Sequence, residues 1–356
     1  MMRSQRMDSM PFAGLSAIRS GALAASIFLV LMTLLTANTV RGEEPAIRPE
    51  ECAGIDNDAE RLRCYDAIPG VRQESGEPAV REGKEQEPSL KAGGAYLTEL
   101  WELDERTRAR KFPITPYRSN YILPFTYNRS PNNAAVREID PGKELNPYEV
   151  VFQISFKVKL WEDVLGWKAD LWGAYTQVSF WQLYDFADSS PFRETNYEPE
   201  ILFNLRTDYR ILGLKGRYLN IGVNHQSNGR SDPLSRSWNR VVANAGFERG
   251  PVALILSGWY RIPEKEEDDD NPNTEDYMGY GQLTAYWFLG HHRLGVALRN
   301  NLDFRDNRGA LQLEWAFPLS RWVSGYVQYF NGYGENLLDY SASSNRVGVG
   351  FVLKDW

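Results

Sequence analysis

Strict alternation of apolar and polar residues constrains the fold of this chain more than any other feature. The stretch 151–160 places apolar side chains at every second position and polar ones between them, namely Phe152, Ile154, Phe156, Val158 and Leu160 against Gln153, Ser155, Lys157 and Lys159. A period of two over ten residues indicates a β-strand with two unlike faces. In a transmembrane barrel the apolar face points at lipid and the polar face lines the lumen.

Segments of this kind recur to the C-terminus, and they predict twelve strands. The predicted strands are 118–127, 149–161, 169–184, 197–211, 216–228, 237–249, 251–262, 277–289, 293–304, 308–317, 321–332 and 345–356. An even number of strands is typical of closed bacterial barrels. The links 249–251, 290–292 and 318–320 are tight, whereas 128–148, 185–196, 228–236, 263–276 and 333–344 are longer and polar. Short periplasmic turns and long exterior loops are the barrel arrangement.

The sequence therefore predicts an all-β protein, a twelve-stranded antiparallel transmembrane β-barrel over residues 96–356, with a soluble sandwich as the alternative. Beyond the N-terminus no stretch reaches about 18 apolar residues, so the mature chain can span a membrane only as a barrel. Eleven Trp and nineteen Tyr suit the aromatic belts of a membrane boundary. The C-terminal Trp356 resembles the terminal aromatic signal of outer-membrane barrels. A net charge of -7 argues against nucleic acid as a partner.

The N-terminal residues 1–42 are predicted to be a signal peptide. Arg3, Arg6 and Arg19 precede an apolar run over 21–35, which is short for a spanning helix. Cleavage is expected at Val40-Arg41-Gly42 or, less favourably, at Leu35-Thr36-Ala37, and a retained signal anchor is the alternative.

Residues 43–95 are predicted to form a short periplasmic extension that carries both cysteines of the chain, Cys52 and Cys64. An exported chain enters an oxidising compartment, so a disulfide between the two is the expectation. A metal pair lacks further ligands nearby, and unpaired thiols remain the other alternative. Residues 70–95 are rich in Glu, Gly, Lys and Pro and indicate a flexible linker.

One of the three histidines lies in a run unusually dense in polar groups, residues 224–240. His225 and Ser227 continue the apolar face of Leu219, Ile221 and Val223, so both are expected to point outward, towards lipid. On the returning strand Asn239 shares its parity with Val241 and also points outward. Residues i and i+2 lie about 6.6 Å apart along a strand and neighbouring strands about 4.8 Å apart, so the three side chains can converge. Polar groups that face hydrocarbon are costly and indicate function.

These residue types suit nucleophilic catalysis. A serine hydroxyl is a weak nucleophile until a base takes its proton, and His225 is the candidate base for Ser227. Asn239 would fix the imidazole through its side-chain oxygen. A neutral amide stabilises an imidazolium less than a carboxylate does, but a lone carboxylate at the lipid edge would be expensive. The alternative is an interfacial polar belt at a loop mouth, because His-x-Ser spacing is common by chance.

Two longer stretches resemble outer-membrane phospholipase A. They are Ser189-Ser-Pro-Phe-Arg-Glu-Thr-Asn-Tyr-Glu-Pro199 and the run from Asn224 to Arg240, with weaker similarity over most of residues 96–356. The resemblance implies a twelve-stranded barrel that hydrolyses acyl esters at both glycerol positions of phospholipids in a calcium-dependent reaction. It implies Ser227 as nucleophile, His225 as base and Asn239 as orienting group, with the Gly229 amide in the oxyanion hole.

The same resemblance implies a calcium site that is shared between two copies of the chain. Arg230 would contribute its carbonyl, Asp232 and Ser235 their side chains, and Ser189 would come from the partner barrel of a homodimer. Calcium takes several oxygen ligands, so this sparse set would bind weakly until a second chain completes it. The expected location is the outer membrane, with the site at the outer leaflet and both termini in the periplasm.

Two alternative functions accompany this prediction. One is a non-enzymatic pore or adhesin, and a pore would place its key polar residues inward. The other is an acyl hydrolase that acts on lipid A instead of phospholipid. The acidic run 264–270 lacks the glycine and ligand spacing of an EF-hand and is expected to be a solvated exterior loop. Gln177 is expected either to face the lumen or to reach across a barrel–barrel interface.

Overall fold

The computed structural model describes residues 96–108, 114–138 and 140–353, together with eight residues between Cys52 and Cys64. The predicted signal peptide, most of the predicted extension 43–95 and the terminal Trp356 lie outside the described residues. The chain divides into two compact units, one containing residues 22–86 and one containing the strands. In the first unit the sulfur atoms of Cys52 and Cys64 are joined in a disulfide.

Antiparallel strands form a single closed sheet in the second unit. The strands in the described residues are β1 Thr115–Pro116, β2 Tyr121–Asn128, β3 Tyr148–Trp161, β4 Ala169–Trp181, β5 Phe192–Ile211, β6 Leu214–Ser227, β7 Ser237–Arg249, β8 Val252–Arg261, β9 Gly281–Leu289, β10 His292–Asn300, β11 Gly309–Pro318, β12 Val323–Gly332 and β13 Ser344–Leu353. From β2 to β13 each strand pairs with the next, and β13 pairs with β2. The short β1 adds to β3 from outside this ring. The predicted twelve-stranded barrel is therefore confirmed.

The connections differ in length at the two ends of the barrel. At the short-turn end they are 162–168, 212–213, 250–251, 290–291 and 319–322, and at the long-loop end they are 129–147, 182–191, 228–236, 262–280, 301–308 and 333–343. Alternate residues face opposite ways, as the alternation predicts: Ile154 and Leu160 are exposed on the outer wall, whereas Ser155 and Lys157 are buried inside.

Three predicted strand boundaries were wrong by four residues or more, and one of them is the end predicted at 304, because β10 ends at Asn300. Strand β5 begins at Phe192 rather than at 197, because Arg193 and Glu194 are buried charged residues inside the barrel and not loop residues. Arg193 forms ion pairs with Glu149 and Asp339, which satisfy its charge. The strand predicted to start at 277 starts at Gly281, and residues 277 and 278 end the helix Thr274–Met278, whose Met278 packs against Trp238.

The described helices are short. They are α1 Tyr96–Trp101, α2 Glu105–Arg108, α3 Asn133–Arg137 and α4 Thr274–Met278, with a 3₁₀ turn at Val164–Gly166. Within the described residues, no helix has the length and apolar character needed to cross a membrane.

Helix α1 packs inside the barrel and fills part of its lumen. Leu97 and Trp101 are buried in a cluster with Trp172, Leu202 and Tyr218. The Leu97 amide donates a hydrogen bond of 2.7 Å to the Glu248 side chain, which lies near the short-turn end. Aromatic and apolar side chains therefore occupy the interior at that end.

Charged pairs fill much of the remaining lumen. Arg118 bonds Glu198 at 2.7 Å and Glu200 at 3.0 Å, and Arg240 bonds Glu198 at 3.0 Å. A cavity of about 330 Å³ lies among these side chains and Trp101. Buried charges are tolerated when they are paired in this way.

Candidate active site

Strands β6 and β7 bring His225 and Asn239 side by side. The antiparallel register pairs His225 with Asn239 and Ser227 with Ser237. His225 continues the outward face of Ile221 and Val223, which are 51% and 52% exposed. The structure thus gives His225, Ser227 and Asn239 the outward parity that the alternation predicts.

The imidazole of His225 contacts the amide of Asn239 directly. Nδ1 of His225 lies 2.9 Å from Oδ1 of Asn239. Because a carbonyl oxygen only accepts, the proton of this bond resides on Nδ1, and in the neutral imidazole the lone pair is then on Nε2. That tautomer is the one a general base needs. The structure records no hydrogen bond from Ser227 Oγ among the described residues, and Ser227 follows His225 by two positions on the same face.

Inward-facing pairs lie on both sides of this outward pair. Asn224 pairs in register with Arg240, and Nε of Arg240 donates to the Asn224 side-chain oxygen at 3.0 Å. Gln226 pairs with Trp238, whose indole donates to the glutamine at 2.8 Å. These lumenal contacts fix the backbone immediately before and after His225.

The amide of Asn239 has a second partner that the sequence did not predict. Its Nδ2 donates to Oε1 of Glu264 at 2.8 Å, and Arg261 lies 3.5 Å from the other carboxylate oxygen. Ser235 likewise donates to Asp270 at 2.5 Å. The interpretation of 264–270 as a merely solvated loop is therefore wrong for its two ends, although Lys265 to Asp268 are exposed. The acidic run was visible in the sequence, but nothing in it indicated that its residues contact Asn239 and Ser235.

Gly229 adopts a backbone conformation that favours glycine. Its φ is +65°, and a Cβ at this position would lie 3.2 Å from Cε2 of Tyr197. Both features disfavour a side chain, because left-handed φ strains other residues and the Tyr197 ring occupies the space. Gly229 follows Ser227 by two residues, at the start of the loop 228–236.

The residues predicted to hold calcium lie in two loops at the long-loop end. Arg230, Asp232 and Ser235 lie in the loop 228–236, where Asp232 is exposed, and Ser189 lies exposed in the loop 182–191. The Arg230 guanidinium donates to the Phe192 carbonyl at 3.2 Å, which ties the loop 228–236 to the start of β5, directly after the loop 182–191. No cluster of three or more His, Cys, Asp or Glu side chains occurs in the described residues. The predicted ligands would offer carbonyl, hydroxyl and carboxylate oxygens, and these are the ligand types that calcium takes.

The side chain of Gln177 lies on the outer face of the barrel wall. It shares its parity with Tyr175, whose hydroxyl donates to Gln177 at 3.0 Å, and it donates to Ser179 at 3.1 Å. In register it lies opposite Tyr197, which in turn pairs with Ser227. Of the two alternatives for Gln177, the structure supports the outward one. Gln177, Tyr197 and Ser227 lie side by side on three neighbouring strands, so polar groups extend across the outer wall to the candidate site.

The fold and the site together define a class: a membrane β-barrel with a hydrogen-bonded histidine–asparagine pair on its outer wall. Comparison with known proteins agrees with this class. Residues 97–353 match the family model of Phospholipase A1. The chain belongs to the phospholipase A1 family of outer-membrane phospholipases, and it is a lipid-hydrolysing esterase by class.

Similar proteins cover most of the chain. The phospholipase A1 of Escherichia coli K12 is 39% identical over 68% of this chain and 82% of its own length. A putative phospholipase A1 of Neisseria meningitidis is 32% identical over 92% of this chain and 95% of its own length. A solved structure of the Salmonella typhi outer membrane phospholipase, a dimer with bound calcium, is 38% identical and has a TM-score of 0.65 over 71% of this chain and 95% of that one.

Proposed function

We propose that this chain is a calcium-dependent phospholipase that hydrolyses the 1-acyl and 2-acyl esters of phospholipids and lysophospholipids with a Ser227–His225–Asn239 triad. The observation that carries the proposal is the 2.9 Å contact between His225 Nδ1 and Asn239 Oδ1 on the outward face of the barrel. A hydrogen-bonded polar pair on a lipid-facing wall is costly without a function.

In the proposed reaction the His225 imidazole takes the proton of the Ser227 hydroxyl through Nε2. The serine oxygen attacks the ester carbonyl and forms a tetrahedral intermediate, which collapses when Nε2 returns the proton to the leaving alcohol oxygen. The products of this half are a lysophospholipid and an acyl-serine. Water, deprotonated by His225, then releases the fatty acid and restores the hydroxyl. The Ser227–His225 hydrogen bond is expected to form in the substrate complex.

The amide of Gly229 is the proposed oxyanion donor. Its positive φ turns the backbone sharply just after Ser227, and such turns aim amide groups at anions. A donor of this type contributes about 10²–10³ in kcat. Calcium, held by the Arg230 carbonyl, Asp232 and Ser235, would add positive charge near the same oxyanion when bound.

A second copy of the chain is proposed to complete the calcium site through its Ser189. The exposure of Ser189 and the weak ligand set of one chain support this arrangement. The similar Salmonella typhi protein is a dimer with bound calcium. The outward Gln177 is a suitable contact for the partner barrel, because an amide facing hydrocarbon gains from a polar partner.

The proposed orientation places the long-loop end, and with it the site, at the outer leaflet. Long loops face the exterior and short turns the periplasm in barrels of this class. An even strand number would put both ends of the barrel domain at the short-turn end, on the periplasmic side. Substrate would then arrive laterally, past exposed residues such as Val223 and Val241.

The filled lumen favours this proposal over a pore. Trp101 is 2% exposed within its cluster, and paired charges such as Arg240 and Glu198 occupy the interior beyond it. A conducting barrel instead keeps a water-filled channel.

The direct test measures fatty acid release from phosphatidylcholine in mixed micelles with calcium present. Ser227→Ala and His225→Ala should each lower turnover by at least about 10³-fold, because they remove the nucleophile or its base. Ser341→Ala, an exposed loop serine, and His291→Ala, a residue of a short turn, are the matched controls and should keep full activity. Retained turnover in Ser227→Ala, with a folded barrel, would contradict the nucleophile assignment.

A further inference from the structure

Glu264 contacts the proposed triad from outside it. Nδ2 of Asn239 donates to Oε1 of Glu264 across 2.8 Å, while Oδ1 of the same amide faces Nδ1 of His225 at 2.9 Å. Each half of the amide thus has one partner, an imidazole on one side and a carboxylate on the other.

We propose that Glu264 is a positioning residue that fixes the amide of Asn239 and thereby sets the tautomer of His225. The inference rests on the proposed Ser227–His225–Asn239 triad and extends it by one charged group.

The direction of the effect follows from donor and acceptor chemistry. An asparagine amide can offer either its oxygen or its NH₂ to a neighbour after half a turn of its terminal torsion. An ionised carboxylate only accepts hydrogen bonds, so Glu264 pairs with Nδ2 and leaves Oδ1 for His225. The imidazole must then carry its proton on Nδ1 and present a lone pair on Nε2. Only this tautomer can take the proton of Ser227.

Glu264 is held beside Asn239 by the backbone and by charge. The Ile262 amide donates to the Asn239 carbonyl at 2.8 Å, so the chain leaves β8 directly next to Asn239. Arg261 lies 3.5 Å from Oε2 of Glu264, whose side chain is only 18% exposed. That Oε2 is buried with an ion pair but no hydrogen bond. A loop carboxylate that served only solubility would avoid this costly position.

The charge of Glu264 also compensates for the neutrality of Asn239. During catalysis His225 becomes an imidazolium, which a neutral amide stabilises less than a carboxylate does. Hydrogen bonds in a chain polarise one another, so a carboxylate on Nδ2 makes Oδ1 a stronger acceptor. The negative charge therefore lies one group behind the triad, in the loop 262–280 and beside Arg261.

The first experiment replaces Glu264 with glutamine and measures kcat against pH at saturating calcium. We expect Glu264→Gln to lower kcat roughly tenfold, a fraction of the 10²–10⁴ that a positioned base supplies, with KM changed less than about twofold. The acid limb of the profile should move to lower pH by about 0.5 unit or more, because the imidazolium loses a stabilising charge. Glu266→Gln removes the same charge from an exposed position in the same loop and should change neither quantity.

In a second background, Asn239→Asp, the effect of Glu264→Gln on kcat should have the opposite sign. Asn239→Asp places a carboxylate against Glu264, so the two negative charges repel and activity should fall. Adding Glu264→Gln supplies an amide donor to the new carboxylate, and kcat should rise above that of Asn239→Asp alone. The same substitution thus lowers kcat in one background and raises it in the other. If it lowers kcat in both, or changes kcat in neither, Glu264 does not act through Asn239.

A measurement independent of turnover separates this inference from the proposed function. Nitrogen-15 NMR of histidine-labelled protein in detergent micelles reports the tautomer of His225, and only three histidines need assignment. The signal of His225 is the one lost in His225→Ala. We expect the Nδ1–H tautomer in the wild type and a mixture in Glu264→Gln.

The outcomes are distinct. An unchanged tautomer, kcat and pH profile in Glu264→Gln, with a barrel shown to be folded by circular dichroism, would overturn the positioning role and leave the triad standing. Full hydrolysis by Ser227→Ala would instead remove the proposed function, and the tautomer shift would still decide whether Glu264 orients Asn239 and His225.

Discussion

Replacement of Gly229 by alanine tests the proposed oxyanion donor, because the backbone conformation at this position strains any residue with a side chain. Gly229 has a φ of +65°, and the added methyl carbon would lie 3.2 Å from Cε2 of Tyr197. An L-residue in the left-handed region costs about 1–2 kcal/mol. The loop has two ways to respond, and both lower kcat.

If φ is retained, the strain of 1–2 kcal/mol reduces the population of the productive loop by about 5–30-fold. If φ relaxes to a negative value, the amide turns away from the oxyanion and its contribution of about 10²–10³ is lost. We therefore expect Gly229→Ala to lower kcat between about fivefold and 10³-fold, with little change in KM, because the amide acts on charge that develops in the transition state.

The assay is fatty acid release at saturating calcium, read together with the thermal unfolding temperature. Gly250→Ala is the matched control: Gly250 has a φ of +53° in a short turn, and nothing lies within 4 Å of its added carbon. Gly250→Ala carries the same kind of backbone strain far from the site and should keep full kcat. Equal kcat in the two variants would refute the assignment of Gly229 to the oxyanion hole.

Three further predictions address calcium, the partner chain and the lumen. Chelation should abolish hydrolysis, and Asp232→Asn should raise the calcium concentration for half-maximal activity roughly tenfold, since a carboxylate is the strongest ligand in the set; activity that ignores the chelator would remove calcium from the mechanism. Crosslinking should trap more dimer with calcium than without, and Gln177→Ala should lower that fraction; an unchanged fraction counts against the shared site. Trp101→Ala should lower the free energy of unfolding by about 3–5 kcal/mol, because it empties a large buried site. The same variant should conduct ions in planar bilayers, whereas conductance by the wild-type protein would favour a pore.

The barrel and the facing of its residues could be predicted because both depend on a local pattern. A period of two fixes which face a residue occupies once one face contacts lipid, so the outward parity of His225 and Asn239 follows from Val223 and Val241. Contacts between residues that are far apart in sequence affect the predicted facing only through the register of neighbouring strands.

The boundaries that were wrong depend on distant partners. Arg193 and Glu194 read as loop residues, because nothing local shows that Glu149 and Asp339 pair with Arg193 inside the barrel. In the same way, the acidic run at 264–270 gave no sign that Glu264 lies against Asn239. That contact arises from where β8 ends beside β7, which a single sequence does not state.

The alternation of inward and outward pairs along β6 and β7 has a consequence for how this protein can be altered. The wall is one backbone thick, so the buried Asn224–Arg240 contact in the lumen is separated from the His225–Asn239 contact on the lipid side by a single peptide unit on each strand. We expect a change that loosens Arg240 in the lumen to disturb the strands that carry the outer pair. Substitutions at interior positions that do not contact lipid should therefore change the reaction rate from the opposite side of the sheet.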